Sequence, residues 1–117
     1  MINVKAKGAR WERELARKFQ DALGIEAKRG LSQARGGGKE EPDLVLPLPL
    51  HIEAKAGKKP NPREALKQAQ NDASTGKIPC AIIKDDRQEP FCVLPLDAFL
   101  EVLKRAYPSE AMGQNDD

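Results

Sequence analysis

The stretch of sequence that decides the fold lies at residues 42–55 and reads PDLVLPLPLHIEAK. Its apolar runs on either side of two prolines predict two short strands joined by a turn at Pro47–Pro49. Asp43 stands at the start of the first strand, and Glu53 lies within the second. A hairpin of this kind would bring the two carboxylates side by side. The alternative is that Asp43 is an ordinary turn residue.

The second strand should present alternate side chains to opposite faces of a sheet. Glu53 and Lys55 then share one face with His51, whereas Ile52 and Ala54 are expected to face the core. Two carboxylates and one ammonium group would converge at one end of the sheet. An exposed strand face with ordinary charged residues is the competing interpretation, and the spacing alone does not decide between the two.

Two carboxylates beside a lysine suit the hydrolysis of phosphodiesters. Carboxylate oxygens are ligands that Mg²⁺ prefers, and a bound divalent ion polarises a phosphate and lowers the pKa of water. Lys55 would orient the attacking water or offset the negative charge that develops in the transition state. The set therefore indicates a Mg²⁺-dependent nuclease, with Mn²⁺ as an alternative ion.

Outward from this stretch, hydrophobic periodicity and capping residues predict three helices and three further strands. The helices are expected at Arg10–Leu23, from the N-cap Asn61 to about Ala73, and after a capping Asp97. The further strands are expected at Ile25–Arg29, Pro79–Ile83 and Phe91–Leu94. This order predicts an α/β fold, a mixed central β-sheet flanked by helices, in one domain over residues 1–107 with a polar tail over residues 108–117.

Glu12 lies on the apolar side of the first predicted helix. On a helical wheel it falls within the stripe formed by Trp11, Leu15 and Phe19, whereas Glu14 points elsewhere. A carboxylate that faces the core needs a cation, a metal ion or hydrogen bonds. We therefore expect Glu12 to join the acidic site; the alternative is a carboxylate at the stripe's edge near the helix N-terminus, where acids are mildly favoured.

Four segments together resemble the archaeal-type Holliday junction resolvases, a family of the PD-(D/E)XK nuclease superfamily that also has phage members. They are KGARWEREL at residues 7–15, DLV at residues 43–45, IEAK at residues 52–55 and IPCAIIK at residues 78–84. The resemblance covers about residues 7–103, and the KGxxxERE opening is its most specific part. It departs at residues 30–41, where the Gly-rich segment is longer than expected, and this departure puts the choice of substrate in doubt.

The resemblance implies which residues act and on what. Glu12, Asp43 and Glu53 would be the acidic residues of the active site, Lys55 the catalytic lysine, and the carbonyl of Ala54 a further metal ligand. It also implies homodimers that make paired, symmetric cuts in four-way DNA junctions. Two alternatives stay open, which are a nuclease for other branched, nicked or duplex DNA and a non-catalytic nucleic-acid-binding domain of the same fold.

Charge is distributed unevenly along the chain. Residues 1–63 carry 14 Lys and Arg against 8 Asp and Glu, a balance of +6, whereas residues 64–117 carry 6 against 10, a balance of −4. A basic half indicates a face for a polyanion, and basic side chains would bind phosphates with little dependence on sequence. The expected DNA-binding residues are Lys5, Lys7, Arg10, Lys28, Arg29, Ser32, Arg35, Lys39, Lys58 and Lys59.

Several classes of protein are disfavoured. No stretch approaches the roughly 18 apolar residues of a membrane span, and the N-terminus lacks the apolar core of a secretory signal, so we expect a cytosolic protein. Cys80 and Cys92 are expected to be buried free thiols. The single histidine leaves little material for metal binding through imidazole. Gln68, on the middle helix, is a further candidate for the site, although a solvated helical face is the simpler interpretation.

Overall fold

The computed structural model describes residues 4–30 and 42–109. Within them the chain forms three helices and five strands. In chain order these are α1 (Val4–Leu23), β1 (Lys28–Arg29), β2 (Leu44–Val45), β3 (Leu50–Gly57), α2 (Pro62–Asp72), β4 (Ile78–Asp85), β5 (Phe91–Val93) and α3 (Leu96–Ala106).

The five strands form one mixed sheet in the order β1-β2-β3-β4-β5. The central strands β3 and β4 run parallel and pair over their whole length, and α2 makes the crossover between them. The remaining neighbours are antiparallel. The predicted α/β fold with a mixed central sheet and flanking helices is confirmed, and it is consistent with the PD-(D/E)XK architecture that the resemblance implies.

Helices α1 and α2 pack on opposite faces of this sheet, because alternate residues of β3 and β4 belong to two different clusters. Trp11 and Leu15 of α1 pack with Ile52 and Ala54 of β3 in the larger cluster. In the smaller cluster, Ala65 of α2 packs with residues 81 and 83 of β4. Both faces of β3 are thus covered, and its polar side chains are enclosed together with its apolar ones.

Helix α1 starts six residues earlier than predicted, at Val4 rather than Arg10. Between Lys5 and Arg10 the sequence offers two lysines and a glycine, so the apolar periodicity does not mark where the helix begins. The helix ends as expected at Gly24, which takes a φ of 66° and donates from its N–H to the carbonyl of Gln20 at 2.8 Å. Glycine adopts such a left-handed conformation without steric cost.

The start of α2 follows the capping pattern in the sequence. Asn61 accepts hydrogen bonds at its side-chain oxygen from the N–H groups of Arg63 and Glu64, at 3.0 and 3.1 Å, and proline occupies the first helical turn. The expected cap of α3 is wrong, because Pro95 stands at the N-cap without a side-chain hydrogen bond. Asp97 lies inside the first turn, where its charge still favours the positive end of the helix dipole.

Of the other predictions for strands and cysteines, some are confirmed and others are wrong. Strand β1 is shorter than predicted, whereas β3 and β4 extend to eight residues each because every residue of one pairs with the other. Cys80 is buried as expected, but Cys92 is exposed, because the edge strand β5 is not covered on that side. The predicted tail at residues 108–117 lies mostly outside the described residues. No helix in the described ranges is long and apolar enough to span a bilayer.

Candidate active site

Asp43 is held beside the centre of β3 by backbone hydrogen bonds. Leu44 pairs with Ile52, so Asp43 precedes one member of that pair and Glu53 follows the other. The N–H of Asp43 donates to the carbonyl of Ile52 at 2.8 Å, and the Asp43 Oδ2 accepts from the N–H of Ala54 at 2.7 Å. The carboxylate is therefore fixed against the backbone that separates Glu53 from Lys55.

Gly30 helps to fix the approach to Asp43, and the sequence indicated only that it belongs to the Gly-rich segment at residues 30–41. Its N–H donates to the carbonyl of Asp43 at 2.9 Å. A Cβ atom built at Gly30 would collide with the carbonyl oxygen of Pro42. Only glycine allows the two backbones to approach this closely. Nothing in the local pattern indicates this, because residues 30 and 42 come together only when β1 and β2 pair.

The electrostatic environment of Asp43 links the four predicted residues. Burial raises the pKa of Asp43 to about 7, and the negative charges of Glu53 and Glu12 act in the same direction. The hydrogen bond from Ala54 and the positive charge of Lys55 lower that pKa, but they do not outweigh the burial. Several carboxylates close together create a negative electrostatic potential. A divalent cation bound there would stabilise their charged forms.

Glu12 reaches this region from α1 and is only 15% exposed at its side chain. Its Oε1 accepts a hydrogen bond from the Nε of Arg29 at 2.8 Å, so an arginine supplies the cation that a core-facing acid requires. Arg29, which was expected to contact DNA, is thus engaged with an acidic residue, although its own side chain is 36% exposed. The negative charge of Glu12 nevertheless contributes to the raised pKa of Asp43.

Lys55 is half-buried and lines a cavity of about 430 Å³ between the end of β3 and α2. Gln68 and Asp72 of α2 line the same cavity. The structure therefore places Gln68 near Lys55, on the wall that faces the strand rather than on a fully solvated helical face. The cavity gives small ligands a route from solvent to the lysine.

His51 and Asp72 were missed by sequence reasoning, yet they lie next to Glu53. The Nε2 of His51 is 3.3 Å from the Oε2 of Glu53, and these side chains are 3% and 2% exposed. Asp72 completes a group whose donor atoms all lie within 4.8 Å of one another, so that the three residues could hold a metal ion. The period-two pattern of β3 places His51 on the face of Glu53, but no local signal places the end of α2 there.

The predicted DNA-binding residues that the structure describes are distributed over several elements. Lys7 makes an ion pair with Asp86 at 2.7 Å, after β4, and the exposed Lys58 and Lys59 follow β3 at the same end of the parallel pair. Lys28 is exposed on the edge strand β1. Arg10 is exposed on α1. The predictions for Lys5, Ser32, Arg35 and Lys39 rest on side chains outside the described part of the chain.

Comparisons with known proteins bear on the fold and on the class of chemistry. The family model described as "Phage putative PDDEXK endonuclease" matches residues 3–115. No curated protein and no solved structure matches the chain. The match runs from the first helix to beyond the last, and it includes the positions of Glu12, Asp43, Glu53 and Lys55.

Proposed function

The chain belongs to this phage family of PDDEXK endonucleases, and on that premise we propose that it is a metal-dependent endonuclease that resolves four-way DNA junctions. The observation that carries the proposal is the anchoring of Asp43. Its carboxylate is bound to the backbone of Ala54, between Glu53 and Lys55, and its pKa responds to Glu53, Glu12 and Lys55 together.

The donor set fits a hard divalent cation. Asp43, Glu53 and the carbonyl of Ala54 would hold Mg²⁺, with Glu12 as a further acidic ligand, because all four offer oxygen and the carboxylates enclose negative potential. The bound ion supplies Lewis acidity toward the phosphodiester and toward water. Mn²⁺ has the same preference for oxygen ligands and would serve as a substitute.

The side chains of the site perform the remaining tasks. Lys55 lies at the edge of an open cavity and places a positive charge where the scissile phosphate would enter. Such a fixed charge stabilises the negative charge that develops on phosphate oxygens during hydrolysis. Asp43 and Glu53, held by β2 and β3, keep the reacting groups in register, which lowers the entropic cost of reaching the transition state.

Arg29 and the exposed lysines support DNA binding in this proposal. Lys58 and Lys59 lie after the central strand β3, whereas Lys28 lies on the edge strand β1. Phosphates of two different duplex arms could contact these separated groups, as a branched substrate requires. We place this activity in the cytoplasm, where the DNA substrate of a phage nuclease lies.

We further propose that the chain forms a homodimer, as the resemblance to dimeric resolvases implies, and that the second copy covers α3. No residue of α3 is buried, and Leu96, Phe99 and Leu100 are 69%, 46% and 50% exposed. Phe91 lies on the edge strand β5 and is 46% exposed. Exposed edges and apolar patches of this kind mark association surfaces. Leu100→Glu should shift light-scattering mass from dimer to monomer, whereas Lys104→Glu should not; a monomeric native chain would refute the dimer.

One experiment tests the enzyme and its substrate together. An immobile four-way junction, a fork, a nicked duplex and a linear duplex are incubated with the native chain in Mg²⁺, in Mn²⁺ and in EDTA. We expect paired cuts in the junction, at a rate at least about tenfold above the linear duplex, and none in EDTA. Equal rates on all four would overturn junction selectivity, and cleavage of none would overturn the nuclease proposal.

Site variants complete this test. Asp43→Asn and Glu53→Gln should abolish cleavage and leave junction binding intact, because they remove metal ligands and no phosphate contact. Glu12→Gln should impair cleavage more than Glu14→Gln, which changes an exposed carboxylate on the same helix. Unimpaired cleavage by Asp43→Asn would contradict the assignment of the site. Equal effects of Glu12→Gln and Glu14→Gln would contradict a role of Glu12 in catalysis.

A further inference from the structure

We propose that His51, Glu53 and Asp72 form a second metal site, which binds a transition ion with affinity for imidazole, such as Zn²⁺ or Co²⁺. This site is different from the one formed around Asp43, because it adds a nitrogen ligand and a residue of α2. It shares only Glu53 with that site. The binding itself is independent of the proposed nuclease activity.

Distances favour coordination with little rearrangement. A tetrahedral Zn²⁺ site with bonds of about 2.0–2.1 Å separates its ligand atoms by about 3.4 Å. The Nε2 of His51 and the Oε2 of Glu53 are 3.3 Å apart, so this pair already has the required spacing. The donor atom of Asp72 lies within 4.8 Å of both. A side-chain rotation at the half-buried end of α2 would close the remaining gap.

Burial and charge favour a cation at the same place. His51 and Glu53 are 97% and 98% buried, and a buried carboxylate is costly without a compensating charge. Among the described residues, the Glu53 carboxylate contacts the imidazole of His51, and no lysine or arginine forms an ion pair with Glu53 or Asp72. A metal ion binds imidazole in its neutral form and carboxyl groups in their ionised form, so this ligand set would contribute a charge of −2, which a divalent ion would balance.

The type of ion follows from the ligands. Imidazole suits Zn²⁺, Co²⁺, Ni²⁺ and Cu²⁺, whereas Mg²⁺ prefers oxygen ligands and gives up its water reluctantly. An ion would enter through the cavity of about 430 Å³, which Asp72 lines together with Lys55 and Gln68. Of the three ligands, Asp72 is the one that lines this cavity, so solvent reaches the site from the side of Asp72.

A shared Glu53 has one consequence, which rests on the proposed nuclease function. An ion held by His51 and Asp72 would also bind the carboxylate of Glu53, which would then no longer be free to bind Mg²⁺. We therefore expect Zn²⁺ to inhibit cleavage in Mg²⁺, and Asp72→Asn to relieve that inhibition.

Nuclear magnetic resonance tests the site directly, because the chain has a single histidine. A ¹⁵N-labelled full-length chain without a histidine tag is titrated with ZnCl₂, and the imidazole resonances of His51 are followed. We expect the Nε2 resonance of the free imidazole to disappear as Zn²⁺ binds, and this change should be complete at one equivalent of Zn²⁺. No change with excess Zn²⁺ would overturn the proposal, whether or not the chain cleaves DNA.

Variants identify the other ligands. Asp72→Asn, on the half-buried end of α2, should weaken Zn²⁺ binding at least tenfold in calorimetry and leave the urea midpoint without metal close to that of the native chain. His51→Gln should give the same loss of binding. Asp43→Asn and Cys92→Ser serve as controls and should retain the binding. Undiminished affinity in Asp72→Asn, or loss of binding in Cys92→Ser, would overturn the assignment.

Discussion

Replacing Asp43 by asparagine should make the metal-free protein more stable at alkaline pH while it abolishes cleavage. Burial raises the pKa of Asp43 to about 7 from an ordinary value of 3.8. A raised carboxyl pKa means that the folded chain binds more protons than the unfolded chain between these two values. Stability therefore falls as the pH rises from about 4 to about 7, and the full penalty is present above pH 7.

The size of the effect follows from the pKa values. A rise from 3.8 to about 7 corresponds to about 4 kcal/mol, at about 1.36 kcal/mol per pKa unit. Asparagine removes the charge and keeps an oxygen that can accept from Ala54, but its amide must still leave water, which costs about 1–3 kcal/mol. Because the amide cost remains at low pH whereas the charge penalty is almost absent there, we expect Asp43→Asn to raise the free energy of unfolding by about 2 kcal/mol at pH 8.5 and to lower it by about 1–2 kcal/mol at pH 4.

Urea unfolding in EDTA at these two pH values measures the prediction. Asp21→Asn, which changes an exposed carboxylate on α1, is the matched control and should alter the midpoint little at either pH. Addition of Mg²⁺ should stabilise the native chain and not Asp43→Asn, so that the difference between them narrows. The reasoning fails if Asp43→Asn is no more stable than the native chain at pH 8.5, or if the difference is the same at both values.

Three further predictions concern the backbone, a thiol and the lysine. Gly30→Ala should lower the free energy of unfolding by about 1–3 kcal/mol because its Cβ would collide with a neighbouring carbonyl. Gly8→Ala, with open space around it, should raise the free energy of unfolding by up to about 1 kcal/mol. Similar urea midpoints for the two variants would contradict this prediction. The hydrogen bond from Cys80 lowers the pKa of Cys92 to about 7, so the rate of alkylation by iodoacetamide should titrate near pH 7, and near an ordinary thiol pKa of about 8.5 in Cys80→Ala. Lys55→Ala should slow single-turnover cleavage by about 10²-fold or more with little change in Mg²⁺ affinity; an unchanged rate would refute its role.

Local sequence was sufficient for features that depend on neighbouring residues. The start of α2 was predictable because Asn61 bonds to N–H groups two and three residues away and Pro62 fits the first helical turn. The end of α1 was predictable because Gly24 tolerates a positive φ. The failed cap at Asp97 shows the limit of such signals, since an acid in the first turn is favoured by the helix dipole whether or not it caps.

Features that depend on several elements were only partly predictable. The spacing of Asp43, Glu53 and Lys55 indicated nuclease chemistry, and the family to which the chain belongs supports that class, while the roles of the individual residues stay predictions. Cys92 was expected to be buried because it lies in an apolar run that is typical of a strand. Its strand lies at the edge, where one side is left uncovered.

The sequence by itself determined that β3 carries an acid and a lysine, and that a second acid directly precedes β2, on an α/β scaffold, because alternation along a strand fixes which side chains share a face. Only the tertiary structure decided that Gly30 supports Asp43, that Arg29 neutralises Glu12, and that Asp72 reaches the His51–Glu53 pair. These contacts join residues on different elements. Their energies come from burial and charge at short distance, which no pattern along the chain encodes.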